Sequence, residues 1–299
     1  MRIPSKVRLS LFAVVILTLL GIVPATAQDV DISFSSEKID SYGYPELHVT
    51  FDGRDFDVPT EVEAGYHVVV LDPNEGFSAY VDFMQPPAGL DRDEAVETAL
   101  RAAAWDEVEE GWTFGGGSYA FQDKITRFIV RLDPGEWQIA ASWQLDEDGA
   151  DETMELYPLN VTDRGVGVAE EMAPAPDVVM ELNDVAFGGL DQSIPAGPTL
   201  FEVANVGEKP RQMVLFRTDR ALTSDDFGEW FGAMETGTPP ADPFEMTWVG
   251  YAALTSPGYS TWIELDLAPG IYTATSWVVD PESGMPALLL GMVQSFNVE

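Results

Sequence analysis

The sequence predicts an all-β protein of two tandem sandwich domains, each with one short helical insert, behind an N-terminal export signal. Three observations predict it. First, the chain repeats itself: Ala64-Gly65-Tyr66-His67-Val68-Val69 returns as Ala196-Gly197-Pro198-Thr199-Leu200-Phe201, and Leu132-Asp133-Pro134-Gly135-Glu136-Trp137 returns as Leu267-Ala268-Pro269-Gly270-Ile271-Tyr272. The offsets of 132 and 135 residues describe a duplicated domain, far above the periods of solenoids. Second, short apolar or alternating runs separated by turn residues dominate: Glu46–Phe51, His67–Leu71, Phe128–Leu132 and Trp137–Leu145, then Leu200–Val203, Gln212–Arg217, Thr261–Leu267 and Tyr272–Val279. Third, the alternation of strands with full helical crossovers that marks parallel α/β folds is missing.

Taken in order, residues 1–27 read as a secretory signal peptide. Arg2, Lys6 and Arg8 precede the apolar run Leu11 to Val23, and Ala25-Thr26-Ala27 supplies a small-residue cleavage site before Gln28. The run is shorter than the roughly 20 residues that span a bilayer. The mature chain is therefore expected outside the cytoplasm, in a periplasm or at the cell exterior, with no membrane span. The sequence has no Cys, so each copy must stand on a hydrophobic core, which about 130 residues can supply.

The first domain is expected over 28–162, with 28–44 having no counterpart in the second copy. Its helical insert starts at Asp91 as cap, with Glu94 three residues on and Val96, Leu100 and Ala103 along one face. Residues 163–177, Gly- and Pro-containing and without periodicity, read as a linker. The second domain is expected over 178–299. Its insert is capped by Thr223 or Ser224, and Phe227, Trp230, Phe231 and Met234 form a helical stripe expected to lie on its own domain.

Fifteen Lys and Arg face 51 Asp and Glu, a formal charge of −36 that becomes −39 without the leader's three basic residues. Hydrophobic content of 45% and aromatic content of 11% describe a folded chain rather than a disordered acidic one. Such a shell repels nucleic acid and anionic lipid. The acids are spread along the chain, which suits solubility in a salty medium; attraction of a cationic partner or of divalent metal is the sharper alternative.

Pro269-Gly270-Ile271-Tyr272, then Gly291-Met292-Val293 and a last strand ending Phe296-Asn297-Val298, together with Asn205-Val206-Gly207 before Gln212-Met213-Val214-Leu215-Phe216, resemble the cupredoxin family of plastocyanin-like blue copper domains. The resemblance covers most of 178–299 and reaches the first copy only through the repeat. It implies two tandem cupredoxin-like Greek-key sandwiches. It also implies where copper ligands would stand: the first histidine at Arg211 or Gln212, the cysteine at Ser276, the second histidine at Ala287 and the axial methionine at Met292. In the first copy the matching positions are Ser78 or Ala79, Ala141 or Ser142, Ala150, and Glu155. Blue copper needs two imidazoles and a thiolate with a weak thioether. Only Met292 is a ligand of that type, so these are vestigial copper positions and no cofactor is expected.

The two histidines, His48 and His67, sit in strand-like runs and read as hydrogen-bonded sheet residues. The loop 146–152 is the densest acidic cluster, and Asp146, Asp148 and Asp151 are weak calcium candidates lacking the EF-hand pattern. No nucleophile elbow or paired-carboxylate motif appears. The sequence thus points to an exported, acidic, noncatalytic binding or interaction protein whose partner is an extracytoplasmic protein, glycan or small molecule. The alternatives are a carboxylate-dependent extracytoplasmic hydrolase and a calcium-stabilised surface protein.

Overall fold

The structure, a computed structural model, describes residues 36–90, 92–103, 108, 110–121, 124–145, 153–165, 171–190 and 193–299. The expected leader, Asp91, Ala150 and the calcium candidates Asp146, Asp148 and Asp151 lie outside the described residues.

The first copy contributes β1 (Glu46–Phe51), β2 (Phe56–Asp57), β3 (Glu61–Glu63), β4 (Gly65–Asp72), β5 (Phe77–Gln85), β6 (Thr113–Ala120), β7 (Thr126–Leu132), β8 (Gly135–Leu145) and β9 (Thr153–Thr162). The second contributes β10 (Val178–Leu182), β11 (Phe187–Gly188), β12 (Gly197–Asn205), β13 (Arg211–Thr218), β14 (Met246–Thr255), β15 (Ser260–Leu267), β16 (Gly270–Thr275) and β19 (Val293–Val298), with the small pair β17 (Val279–Asp280) and β18 (Met285–Pro286) before it. The helices are α1 (Glu37–Ser41), α2 (Arg92–Ala103) and α3 (Ser224–Thr236).

These strands form two long sheets that both run through the two copies. One has the order β11-β10-β12-β15-β7-β4-β1-β2 and the other β19-β16-β13-β14-β6-β5-β8-β9-β3. The duplication read from the sequence is therefore repeated in topology: β2-β1-β4-β7 matches β11-β10-β12-β15, and β6-β5-β8-β9 matches β14-β13-β16-β19. Even the parallel pairings recur, β1 on β4 and β10 on β12. The core aromatics agree as well. Trp137 Nε1 donates to the Asp133 carbonyl at 2.8 Å, and Tyr272 Oη donates to the Ala268 carbonyl, the repeat equivalent of Asp133, at the same 2.8 Å.

The copies meet through equivalent strands, antiparallel in both sheets: β7 on β15, with Phe128 opposite Ile263, and β6 on β14, with Gly115 opposite Thr255. Phe128 and Ile263 are separated by the repeat offset, so an internal pseudo-two-fold passes between them. Gly116 of β6 allows this approach: its φ is +93°, and a Cβ there would stand 2.0 Å from Thr261 Oγ1 of the second copy.

One continuous hydrophobic core fills the space between the sheets and draws on both copies, from Phe51 and Trp137 to Tyr272 and Phe296. The outer face of the eight-stranded sheet is covered at the seam by α1, whose Ile39 packs among Val68, Ile129, Leu200 and Trp262. Glu264 of β15 accepts the backbone N–H groups of Lys38 and Ile39 at 2.9 and 3.2 Å. This ties the segment without a repeat counterpart to the second copy. Tyr42 and Tyr44 hydroxyls donate to the Ala175 and Met172 carbonyls, and Arg164 pairs with Glu171 at 2.6 Å. The described part of the segment expected as a linker is thus strapped to the body.

The outer face of the nine-stranded sheet carries the helical inserts. In α3, Thr223 and Asp226 form a reciprocal capping box, and Phe227, Trp230 and Phe231 surround Trp277 with ring centroids 5.8 to 6.4 Å away, while Met234 is exposed. In α2 the described buried positions are Thr98 and Ala99, and Val96 is half-buried; the side chains of Leu100 and Ala103 lie outside the described residues. The expected strand Tyr272–Val279 ends at Thr275, because the chain turns there to form β17, β18 and the 3-10 turn Ala287–Leu290.

Candidate functional site

The end of the second copy brings together four positions that the sequence singled out. Ser276 follows β16, Ala287 opens the 3-10 turn and Met292 precedes β19. Ser276 N–H donates to the Met292 carbonyl at 3.2 Å, Met292 N–H to the Ala287 carbonyl at 3.0 Å, and Leu288 N–H to the Ser276 carbonyl at 2.7 Å. All three side chains are buried. Arg211 enters from β13, fully buried, and donates Nε and Nη2 to the Asp184 carbonyl at 3.0 and 2.8 Å and Nη1 to the Pro210 carbonyl at 2.8 Å. The adjoining Val185 carbonyl presses on Gly291, where a Cβ would stand 2.9 Å away. The turn at Asp184–Val185 therefore joins Arg211 to the residue before Met292.

Gln212 goes the other way. Its Oε1 accepts from Tyr251 Oη at 3.0 Å, on the outer face of the sheet. Of the two sequence candidates for the first imidazole position, Arg211 is the one that closes this end. Burial pulls its pKa down, opposed by the charges of Asp184 and Asp280, and a guanidinium stays charged under any such shift. Ser276 Oγ and Gln212 Nε2 are buried without a hydrogen-bond partner among the described residues. As a donor set, one guanidinium, one hydroxyl, one methyl and one thioether do not fit blue copper.

The first copy closes its equivalent end differently. Phe83 pairs with Ile139 as Leu215 pairs with Ala274, which places Ala79 at the position of Arg211 and Ala141 at that of Ser276, deciding against Ser78 and Ser142. Five rings fill the space: Phe51 stands 5.0 Å from each of Phe56, Phe77 and Trp143, and Tyr157 meets Phe56 at 6.1 Å. Glu155 lies opposite Ala141, and the Tyr157 hydroxyl sits 2.9 Å from its Oε2 and 2.6 Å from Asp55 Oδ1. Ala79, Ala141 and Glu155 include no soft or imidazole donor.

The histidines are separate from both ends. His67 is buried in β4, donates Nε2 to the Glu63 carbonyl at 2.7 Å, and burial lowers its pKa. His48 is exposed beside Glu46 at 3.0 Å. Among the described residues, no group of three or more His, Asp and Glu side chains is placed to hold a metal.

The sequence reading missed an aromatic path at the seam. Half-buried Phe121, Tyr119 and Trp248 pack at centroid distances of 4.5 to 4.8 Å; Trp248 leads to Tyr251 at 6.0 Å, and Tyr251 to Tyr80 at 5.6 Å. Tyr80 Oη then donates to Asp82 Oδ2 at 3.2 Å. Asp82 is fully buried, with Oδ1 unpaired among the described residues, and burial raises its pKa well above the usual carboxylate value. The signal for it was an acid placed in step with Tyr80 inside the otherwise apolar run of β5. The other buried carboxylates stand apart from it: Glu264 holds α1, and Asp280 pairs with Lys209 at 2.7 Å. An open depression of about 300 Å³ lies at the end of α3 beside Glu229, Ala233, Pro239 and Pro240.

Solved structures to which the chain is similar include copper proteins. Dithionite-reduced auracyanin of the photosynthetic bacterium Roseiflexus castenholzii aligns at 18% identity over 40% of this chain and 94% of its own, with a TM-score of 0.28. Auracyanin A of Chloroflexus aurantiacus, a blue copper protein, aligns at 16% over 41% of this chain and 98% of its own, with a TM-score of 0.27. The copper-containing nitrite reductase of Thermus scotoductus SA-01 aligns at 12% over 85% of this chain and 60% of its own, with a TM-score of 0.24. No family model and no curated protein matches the chain. No helix among the described residues is long and apolar enough to cross a membrane.

Proposed function

We propose that the chain is an exported, acidic, noncatalytic binding protein built on two cupredoxin-like Greek-key sandwiches whose copper chemistry has been lost. The first domain is 28–162 and the second 178–299, joined by 163–177. The observation that carries this reading is the filling of the second copy's end: where the fold family holds copper, this chain has Arg211, Ser276 and Ala287 beside Met292, and the guanidinium is already spent on backbone carbonyls. Electron transfer through copper is then unsupported by ligand chemistry. Hydrolysis is not favoured either, since the paired mechanism needs two convergent carboxylates and, among the described residues, the other buried acids, Glu264 and Asp280, are engaged elsewhere, with α1 and with Lys209. What remains is a rigid scaffold that presents loops and the Phe121, Tyr119 and Trp248 face to an extracytoplasmic protein, glycan or small molecule.

The test uses the full chain secreted with its own leader. The exported protein should begin at Gln28, bind neither cupric nor calcium ion saturably at micromolar levels, and, when immobilised, retain a defined molecule from native medium that quenches Trp fluorescence in purified form. Turnover of ester or glycoside reporters by the purified protein, or a stoichiometric cupric site, would reject the reading.

A further inference from the structure

We infer that Arg211 acts as a built-in cation: the carbonyls of Asp184 and Pro210 form a cation seat at the end of the second sandwich, and the guanidinium occupies it in place of an ion. The inference rests on the proposed reading only for the identity of that end; the seat itself is read from contacts.

Arg211 is among the largest fully buried side chains of the protein, and its relative exposure is 2%. A buried guanidinium is usually held by a carboxylate in a two-pronged pair. Here its three described hydrogen bonds all go to backbone carbonyls, and two of them converge on one oxygen, that of Asp184. Carbonyl oxygens converging on one positive group is how a hard cation is held. Burying a charge in this way is costly unless its surroundings are arranged for it. The fields of Asp184 and Asp280 supply part of that arrangement.

The seat also has a mechanical role. Asp184 lies in the turn between β10 and β11 of one sheet, and Arg211 opens β13 of the other, so the guanidinium pins the two sheets together. The first copy shows what happens without it. Ala79 stands in for Arg211, the corresponding turn brings Gly53 against Phe77, with 3.8 Å from an added Cβ to the ring, and aromatic packing does the closing. One end is closed by rings and the other by a cation.

The experiment is chemical rescue of Arg211→Ala with guanidinium ion. In R211A the two carbonyls lose their donors, and free guanidinium at tens of millimolar, compared with equal sodium chloride, should raise its melting temperature by several degrees while lowering that of the wild type. The rise should saturate with concentration, as binding to the native state requires. Arg211→Lys should recover only part of the loss, because an ammonium lacks the planar fork. Arg211→Met, which keeps the aliphatic stem and folds more readily if R211A does not, should melt well below the wild type. A wild-type melting temperature in R211M, or guanidinium lowering R211A as much as it lowers the wild type, overturns the inference. Both outcomes are independent of copper, so they separate this inference from the reading of the site's ancestry.

Discussion

Gly116 and Thr261 approach each other across the seam so closely that a Cβ on Gly116 would stand 2.0 Å from Thr261 Oγ1. Gly116 belongs to the first copy and Thr261 to the second, and the same glycine pairs with Phe83 where the register shifts, as Gly250 pairs with Leu215 at the matching shift. The junction between copies therefore depends on a residue with no side chain.

Gly116→Ala should accordingly destabilise the whole chain, by more than about 1 kcal/mol, because it combines a positive φ with a clash. Gly228→Ala is the control: Gly228 lies in α3 with nothing within 4 Å of an added Cβ, and it should gain up to about 1 kcal/mol. Urea denaturation of the two variants checks this. A single cooperative transition shared by both copies is also expected, since their sheets are continuous.

Asp226 and Asp280 set the acid limb of stability. Their pKa values are pulled down to about 2, first by hydrogen bonds from Arg220 and Lys209 respectively, against an ordinary value of 3.8. A depressed folded value means stability that is complete above the unfolded value and is lost as pH falls through the folded one. Wild-type stability should thus decline between pH about 4 and pH about 2. The double variant D226N/D280N should start lower and decline less over that window, as followed by thermal melting.

Asp82 works with the opposite sign. Burial raises its folded pKa, so its carboxyl favours the fold below the unfolded value of 3.8 and opposes it increasingly as pH rises. Asp82→Asn should therefore gain on the wild type from pH 4 upward, by at most about 1.4 kcal/mol per pH unit until the folded value is reached. A constant difference across pH 4 to 7 would show that Asp82 is ionised in the folded protein.

The net charge of −36 predicts a salt effect. Low ionic strength leaves its self-repulsion unscreened, so the melting temperature should rise steadily as sodium chloride is added from millimolar to molar. Equal melting temperatures across that range contradict it.

Much of the fold was legible because turn chemistry punctuates it. The Pro134-Gly135 and Pro269-Gly270 turns located the repeat, and β1 falls on the expected run Glu46–Phe51. β5 escaped notice because seven of its nine residues are buried, leaving no alternation to read, and β6 because three consecutive glycines hide a strand. At the site, the motif singled out Ser276, Ala287 and Met292, which backbone hydrogen bonds join. It could not choose between Arg211 and Gln212, because residues 211–215 are all buried and the run shows no alternation that would have decided which side chain faces inward. The seam and the path from Trp248 to Asp82 join residues more than a hundred positions apart, and only the folded chain brings them together.

If Arg211, Ser276, Ala287 and Met292 are the ligand positions of a lost copper centre, restoring the donors tests that most directly. The triple variant R211H/S276C/A287H, with Met292 retained, should bind one cupric ion and show an intense visible thiolate-to-copper absorption, which the single variant S276C should not. A folded triple variant that binds no copper, or binds it without that absorption, would contradict the account.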